Sequence, residues 1–216
     1  MDYADTTVII PVKDEPAVGK VTKGVLHALP GCRVIVIYSG EAPRLPKGRN
    51  VSILHQHSAG KGMACLEAAE HVKTGIMCFI DGDDTYDPKD FKGLIAEVRK
   101  GADMALGDRM ANISAAAMPL YIQFGNNILT SAANLLYGLR LEDSQTGIRA
   151  MKKKVFDSLH LKEKEFGIES EMNIKAKKNG CKIVELPASY YVRTGAAKHF
   201  KLAGGFKLFF TTFKFL

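Results

Sequence analysis

The chain lacks the features that mark several classes of protein. Its four cysteines form no CxxC pair, and the only closely spaced histidines, His55 and His57, have no cluster of further ligands beside them. The first five residues do not resemble a secretion signal. These absences argue against a disulfide scaffold and a structural zinc site, and they predict a cytoplasmic protein. The cysteines are Cys32, Cys65, Cys78 and Cys181.

Long apolar runs, repeats and low-complexity segments are also missing. The most apolar stretch, residues 204–216 (GGFKLFFTTFKFL), has 13 residues, whereas about 20 are needed to cross a bilayer. With 46% hydrophobic and 25% charged residues, the composition predicts one globular domain over residues 1–203, followed by this segment. The segment suits an amphipathic helix at a membrane surface, and equally a helix that covers the core or a partner subunit.

Positive charge is concentrated towards the C-terminus. Residues 152–216 contain 14 Lys and Arg against 6 Asp and Glu, whereas residues 1–151 contain 16 against 17. Such a basic third suits nucleic acid, anionic lipid or a phosphorylated substrate, and it is also found on solvated helix faces. Charge alone favours the solvated face. Because no aromatic-rich basic strand of the RNA-binding type occurs, nucleic acid is not an expected partner.

The first half of the sequence alternates between apolar runs and helical patterns. Continuous apolar runs predict buried strands at residues 6–12, 33–38, 51–54, 76–80 and 102–106. Helices are predicted at residues 17–29, from the Gly60-Lys61-Gly62 turn to about residue 72, and at 88–100. This alternation predicts an α/β fold with a mostly parallel central sheet and helices on both faces.

The second half of the sequence alternates less regularly. Helical patterns predict helices at residues 119–137 and 169–179. Shorter apolar segments predict strands at residues 147–151, 182–186 and 189–192. We expect this half to continue the same domain and to build the acceptor side of a site.

The acidic segment at residues 80–88 (IDGDDTYDP) carries the most chemical information. It begins where a predicted strand ends, and ligands of open α/β sheets gather at the carboxyl ends of strands. Asp81 and Asp83 are close enough in sequence to hold one Mg²⁺ or Mn²⁺ ion, which prefers carboxylate and phosphate oxygens. Asp87 stands before Pro88 and is the expected N-cap of the next helix. The segment therefore predicts a metal-bridged diphosphate site.

Six motifs occur in the order found in one enzyme family. The sequence resembles the family 2 glycosyltransferases of the GT-A fold and, more narrowly, the dolichyl-phosphate or polyprenyl-phosphate hexosyltransferases, over about residues 6–200. The motifs are Pro11 with the acidic loop behind it, Gly60-Lys61-Gly62, the segment 81–88, Gly107-Asp108-Arg109, DSQTGIR at 143–149 and RTGAAK at 193–198. The resemblance implies inverting transfer of a hexose from a nucleotide diphosphate sugar, of the GDP-mannose or UDP-glucose type, to a lipid phosphate.

The resemblance also implies roles for individual residues. Asp81, Asp83 and Thr85 are implied as ligands of Mg²⁺ or Mn²⁺. The implied donor-binding residues are Pro11, Asp14, Glu15, Ser39, Lys61, Asp81, Gly82 and Asp83. The implied acceptor and phosphate-binding residues are Arg109, Gln145, Arg149, Arg193 and Lys198. Arg109, Arg149, Asp83 and Asp143 are the expected catalytic residues.

Alternatives remain for the acceptor. A lipid phosphate is already nucleophilic near neutral pH and needs no base, whereas a hydroxyl needs a carboxylate base, for which Asp143 is the first candidate, followed by Glu169 and Glu171. Gln123 and Ala197 depart from the family pattern and favour a soluble hydroxyl acceptor slightly. A non-catalytic binder of anionic surfaces is a further class. The sequence leaves open a homo-oligomer and peripheral attachment to the cytoplasmic face of a membrane.

Overall fold

The computed structural model describes residues 2–114, 116–194 and 214, and in them the chain forms seven strands and six α-helices. The strands are β1 (Thr6–Lys13), β2 (Arg33–Ser39), β3 (Val51–His55), β4 (Ile76–Phe79), β5 (Met104–Ile113), β6 (Arg149–Lys152) and β7 (Ile183–Tyr190). The helices are α1 (Val18–Ala28), α2 (Lys61–Glu70), α3 (Phe91–Arg99), α4 (Leu120–Tyr137), α5 (Lys153–Ser158) and α6 (Ile168–Lys178). A 3-10 turn, Pro88–Asp90, precedes α3.

All seven strands form one sheet in the order β3-β2-β1-β4-β6-β5-β7. Every neighbouring pair is parallel except the two that involve β6, which runs antiparallel to β4 and to β5. The prediction of a mostly parallel α/β sheet is therefore confirmed. The continuous apolar runs in β1 and β2 follow from this arrangement, because strands covered on both faces bury every side chain.

Two apolar clusters cover the two faces of the sheet. Alternate residues of β1 separate between them, since Val8 and Ile10 belong to one cluster and Ile9 to the other. Helices α1 and α3 complete the first cluster. Helices α2, α4, α5 and α6 contribute to the second. The prediction of helices on both faces is confirmed.

Three details differ from the sequence prediction. The strands expected at residues 182–186 and 189–192 are one strand, β7, which continues through Pro187. Strand β5 extends to Ile113, with an irregularity where it pairs with β7. Helix α5 was not predicted. Proline is tolerated in β7 because β7 is an edge strand.

The C-terminal segment 204–216 lies outside the described residues except for Lys214, whose Nζ is 3.4 Å from Oε2 of Glu163. The division at residue 203 therefore stays a prediction. Across the parts of the chain that the structure describes, no helix combines the length and the apolar character that crossing a membrane requires.

Candidate active site

Segments from both halves of the sheet meet at one edge. Strand β6 runs against its neighbours, so its first residue, Arg149, pairs with Phe79 at the end of β4 and with Leu106 of β5. The loop that leads into β6 therefore reaches the edge where the acidic segment leaves β4. Because this is the carboxyl edge of the parallel strands, it is the expected place for a ligand site.

Asp81 and Glu169 share the ammonium group of Lys61. The Nζ of Lys61 lies 2.6 Å from Oδ1 of Asp81 and 2.7 Å from Oε1 of Glu169. Burial has the largest effect on the pKa of Asp81 and acts to raise it. The charge and hydrogen bond of Lys61, together with the charges of Arg109 and Arg149, outweigh burial, and the net pKa is lowered. Burial likewise opposes the charge of Lys61, yet Asp81 and Glu169 raise its pKa well above the ordinary value. Both groups are therefore ionised at neutral pH.

Asp83 is less well neutralised than Asp81. Burial raises its pKa, and the negative charge of Asp81 raises it further. Its Oδ1 accepts from the hydroxyl of Thr85 at 2.7 Å, and its Oδ2 lies 3.4 Å from Nη1 of Arg193. The two carboxylates leave the same strand end two residues apart, and a cation there would relieve their repulsion.

Thr85 supports Asp83 in this structure. Its side chain is buried, with 3% of the residue exposed, and both its hydroxyl and its backbone N–H donate to Oδ1 of Asp83. This arrangement fixes the Asp83 carboxylate. It leaves the expected role of Thr85 as a metal ligand a prediction.

The two aspartates fit a divalent cation held jointly with a substrate. Within residues 2–114, 116–194 and 214, no group of three or more His, Cys, Asp and Glu side chains is arranged to hold a metal. Mg²⁺ is usually bound by one or two carboxylates, with substrate phosphates and water completing its shell. Asp81 and Asp83 supply that number of ligands, and their oxygens are of the preferred type.

Two glycines allow backbone to approach this cluster closely. A Cβ on Gly147, in the loop before β6, would overlap Oδ2 of Asp81. Gly60 has a φ of +108° and its Cβ would overlap the carbonyl oxygen of Lys164, so the turn that carries Lys61 packs directly on the loop before α6. A cavity of about 10 Å³, the size of one water molecule, is lined by Lys61, Asp81 and Glu169, among others.

The expected donor-binding residues occupy the first strands of this edge. Pro11 of β1 lines the same cavity as Lys61. Glu15 forms an ion pair with Arg193. Oδ1 of Asp14 accepts from the backbone N–H of Glu41 at 3.0 Å. Ser39 is half-buried at the end of β2, and Gly82 is buried where a Cβ would overlap Val12.

Arg109 and Asp143 form a buried ion pair. Nε of Arg109 lies 2.5 Å from Oδ2 of Asp143, and Nη2 lies 2.8 Å from Oδ1. Arg109 is 8% exposed and Asp143 is 1% exposed. The guanidinium also lies 5.4 Å from the ring centre of Tyr190. Both side chains are thus engaged with protein groups, and their expected catalytic roles stay predictions.

Arg149 is enclosed by protein. It is 1% exposed, and its guanidinium donates to the carbonyl oxygen of Thr146 at 2.5 Å and to Oδ1 of Asn173 at 3.2 Å. Burial lowers its pKa. These contacts tie the loop before β6 to α6. Nη1 and Nη2 are thus engaged with backbone and amide oxygens, whereas the buried Nε has no hydrogen-bond partner among the described residues. The expected contact of Arg149 with a phosphate stays a prediction.

Comparison with known proteins identifies the family. The profile of glycosyl transferase family 2 matches residues 7–159, well over half of the chain. The chain belongs to this family. Glycosyltransferase AglJ of Haloferax volcanii is 32% identical over 164 residues, which are 74% of this chain and 54% of AglJ. The chain therefore spans about half the length of that relative. A dolichyl-phosphate hexose transferase of Haloferax volcanii is 27% identical over 195 residues, covering 89% of this chain and 85% of that protein.

Solved structures share the fold of this family 2 chain. Glucosyl-3-phosphoglycerate synthase of Mycobacterium tuberculosis, crystallised with Mn²⁺, uridine diphosphate and glucosyl-3-phosphoglycerate, superposes with a TM-score of 0.72. Its sequence is 14% identical, and the match covers 97% of this chain and 79% of that one. The expected GT-A fold is confirmed.

The other residues expected to bind the acceptor lie at different places in the family 2 chain. Gln145 is half-buried and donates to the hydroxyl groups of Ser144 and Ser170. Arg193 lies between Glu15 and Asp83 and so stands at the aspartates. Lys198 lies outside the described residues, and its expected phosphate contact stays a prediction.

Two contributions to the site were not expected from the sequence. The hydroxyl of Tyr86 accepts from the backbone N–H of Gly147 at 2.8 Å, which links the acidic segment to the loop before β6. Glu169, considered only as a base, instead holds Lys61. Tyr86 was marked only by its place in the acidic motif. The pairing of Lys61 with Glu169 joins residues more than 100 positions apart, and sequence spacing gives no signal for it.

Proposed function

We propose that this family 2 chain is an inverting hexosyltransferase that uses a nucleotide diphosphate sugar, of the GDP-mannose or UDP-glucose type, and a polyprenyl or dolichyl phosphate. The observation that carries the proposal is the pair of neighbouring carboxylates, Asp81 and Asp83, at the carboxyl edge of the sheet. Asp83 has a raised pKa because it is buried near Asp81. The name of the 27% identical dolichyl-phosphate hexose transferase supports the acceptor class.

Asp81 and Asp83 would hold Mg²⁺ or Mn²⁺. When bound, that ion would offset the charge of the departing nucleoside diphosphate. Lys61 keeps Asp81 ionised, and its ammonium group lies beside the Asp81 carboxylate. Arg193 lies 3.4 Å from Asp83 and adds a cation on the other side of the pair. These side chains would align and neutralise the donor diphosphate.

The candidate bases favour an acceptor that carries its own negative charge. Asp143 is paired with Arg109, and Glu169 with Lys61. Glu171 is fully buried and accepts from the backbone of Lys162 and Glu163. A hydroxyl acceptor would need one of these carboxylates to leave its partners, whereas a phosphate with a second pKa near 6 is already largely dianionic at neutral pH.

The reaction would then be a single displacement. An oxygen of the acceptor phosphate forms a bond to the anomeric carbon as the bond from that carbon to the donor diphosphate breaks. Attack from the side opposite the leaving group inverts the configuration, and no proton transfer is required. The work of the protein is alignment and charge neutralisation. We place this reaction at the cytoplasmic face of a membrane, where the acceptor lipid would reside.

A non-catalytic binder of anionic surfaces has less support. Several cations of the basic third are used inside the fold: Lys152 pairs with Asp103, Lys153 with Asp157, and Lys175 with Glu171. Such pairs reduce the charge available to an outside partner. A non-catalytic binder also gives no reason for the acidic segment at residues 80–88, which the glycosyltransferase proposal explains.

The test is a panel of GDP- and UDP-sugars assayed with and without polyprenyl phosphate, in Mg²⁺, Mn²⁺ or chelator. We expect one donor class to support transfer that requires both lipid phosphate and metal. Asp83→Asn should lower turnover by about 100-fold or more. Asp87→Asn is the matched control, because Asn replaces Asp well as an N-cap. Undiminished turnover in chelator, or in Asp83→Asn, would contradict the metal role.

A further inference from the structure

The outer face of α4 is apolar and exposed. Between 44% and 85% of each large apolar residue on this face is accessible to solvent. These residues are Leu120, Tyr121, Phe124, Ile128 and Leu135. From Tyr121 onwards they follow at intervals of three, four and seven residues, which places them on one side of a helix. We call this set the α4 stripe. Isolated exposed apolar residues are common, but a contiguous stripe marks an interaction surface.

No charge interrupts this region. The 30 residues from Met110 to Leu139 contain no Asp, Glu, Lys or Arg, in a chain that is 25% charged. Basic residues are found instead at the C-terminal end of the helix. Arg140, Lys177 and Lys178 are exposed there, and the Nζ of Lys178 lies 5.5 Å from the ring centre of Tyr137. An apolar stripe with cations at its rim has the chemistry of a surface that meets anionic lipid.

The inner face of α4 packs on the candidate active site. Leu129, Thr130 and Ala133 are its buried residues. The hydroxyl of Thr130 lies 3.0 Å from the hydroxyl of Ser144 and also accepts from the backbone N–H of Ser144. Ser144 follows Asp143 in the loop before β6. One side of α4 thus supports the site, and the other side is open.

We propose that the α4 stripe docks on an anionic lipid bilayer and places the loop 143–147 about one helix diameter, roughly 10 Å, from its surface. This docking role rests on the proposed function, because the phosphate of a lipid acceptor lies at the level of the headgroups and would then be close to the loop. Helix α4 would lie along the bilayer and would not cross it, because its inner face is occupied by the protein. Docking by α4 does not require the C-terminal segment.

Two other occupants fit the structure less well. Lys214, the described residue of the C-terminal segment, contacts Glu163, whose backbone lies against Gly62 of α2. A second copy of the chain would bring its own rim of Arg140, Lys177 and Lys178, so a symmetric pair would gain no opposite charge from it. An anionic bilayer complements both the apolar stripe and the basic rim.

The test measures partition of the full chain onto vesicles, without sugar donor. Wild-type protein should bind vesicles of phosphatidylcholine and phosphatidylglycerol more tightly than vesicles of phosphatidylcholine alone. The double variant Phe124→Asp/Leu135→Asp should lower binding to the anionic vesicles by about tenfold or more, because it puts charge where apolar area would be buried. Lys177→Gln/Lys178→Gln should reduce mainly the preference for anionic lipid.

Ile53→Asp is the matched control. Ile53 is 51% exposed on β3, at the far edge of the sheet, so the same change in chemistry should leave vesicle binding unchanged. Wild-type binding by the α4 double variant, or absence of binding by the wild type, would overturn the proposal. So would a wild-type dimer that the double variant converts to monomer without a change in partition.

Transfer assays separate this proposal from the proposed function. With a short-chain, water-soluble polyprenyl phosphate the α4 double variant should retain wild-type turnover, and with long-chain acceptor in vesicles it should lose about tenfold or more. Failure of the wild type to transfer any sugar would contradict the proposed function while leaving the partition result intact. Equal loss of turnover with both acceptors would overturn the docking role.

Discussion

The two halves of the sheet use charged side chains in opposite ways. In the first half (β3, β2, β1 and β4) the carboxylates of Asp81 and Asp83 remain 29% and 18% exposed at the strand end. In the second half (β6, β5 and β7) the guanidinium groups of Arg109 and Arg149 are buried against protein oxygens. The order of the motifs in the sequence identifies the candidate site residues. Burial and pairing distinguish the residues that can meet a ligand from those that hold the site together.

The largest effect is expected at the buried ion pair of the second half, Arg109 and Asp143. We expect Asp143→Ala to lower the free energy of unfolding by about 3–5 kcal/mol, because it leaves the Arg109 guanidinium buried without its carboxylate. Urea unfolding measures the change. The double variant Arg109→Met/Asp143→Leu should be less destabilised than Asp143→Ala. If Asp143→Ala kept wild-type stability and lost only turnover, Asp143 would be a base and the contrast would fail.

The contact between Gly147 and Asp81, where the two halves of the sheet meet, should be sensitive to added side-chain volume. In Gly147→Ala the new methyl group would overlap Oδ2 of Asp81, so the carboxylate must shift. A displacement of about 1 Å at a catalytic group can cost about 100-fold in turnover. Gly75→Ala is the control, since a Cβ there meets nothing within 4 Å. Steady-state transfer assays compare them, and equal activity of the two variants would show that Asp81 is not positioned by this contact.

Tyr86 joins the halves by a hydrogen bond. Tyr86→Phe removes the acceptor for the backbone N–H of Gly147, and we expect a loss of about 1–3 kcal/mol in the free energy of unfolding. Tyr121→Phe changes an exposed residue in the same way and should alter stability by less than about 0.5 kcal/mol. Thermal and urea unfolding provide the measurement. A neutral Tyr86→Phe would indicate that water replaces the lost acceptor.

The smallest expected effect lies at the helix start in the first half. Oδ1 of Asp87 accepts from the backbone N–H of Lys89 at 2.9 Å, with Pro88 next in the chain, so the expected N-cap is confirmed. Asp87→Ala should cost about 1 kcal/mol of unfolding free energy, whereas Asp87→Asn should keep most of it. Neither change should alter turnover beyond its effect on the folded fraction. Equal stability of both variants would contradict the capping role.

The sheet could be predicted because parallel strands bury both faces. The run in β1 contains no charge before Lys13, and its apolar residues divide between the two clusters. The sequence predicts two strands on either side of Pro187 where the structure has the single strand β7, and the sequence does not show that β7 lies at the edge of the sheet. The short α5 follows β6 directly and carries too few residues for a clear helical period.

The site could be predicted only as a set of residues. Asp81 and Asp83 follow a buried strand, and that position places them at a ligand edge by topology. The hydrogen bonds of the buried Arg149 guanidinium are made with Thr146 and with Asn173, which folding brings close. Spacing along the chain gives no measure of such burial. The sequence therefore names Arg109 and Arg149 as candidate phosphate ligands but does not show the protein oxygens that surround them.

The reversed direction of β6 bears on which insertions the molecule can accept. At the end of β6, the backbone N–H of Lys153 donates to the carbonyl oxygen of Gly75, which precedes β4. The backbone N–H of Lys152 donates to the carbonyl oxygen of Asp103, which precedes β5. These turns are gathered at the rim remote from the aspartates. Extra residues placed there would lengthen the molecule without shifting Asp81 or Gly147. A lineage could therefore acquire appendages at that rim while its chemistry stayed constant.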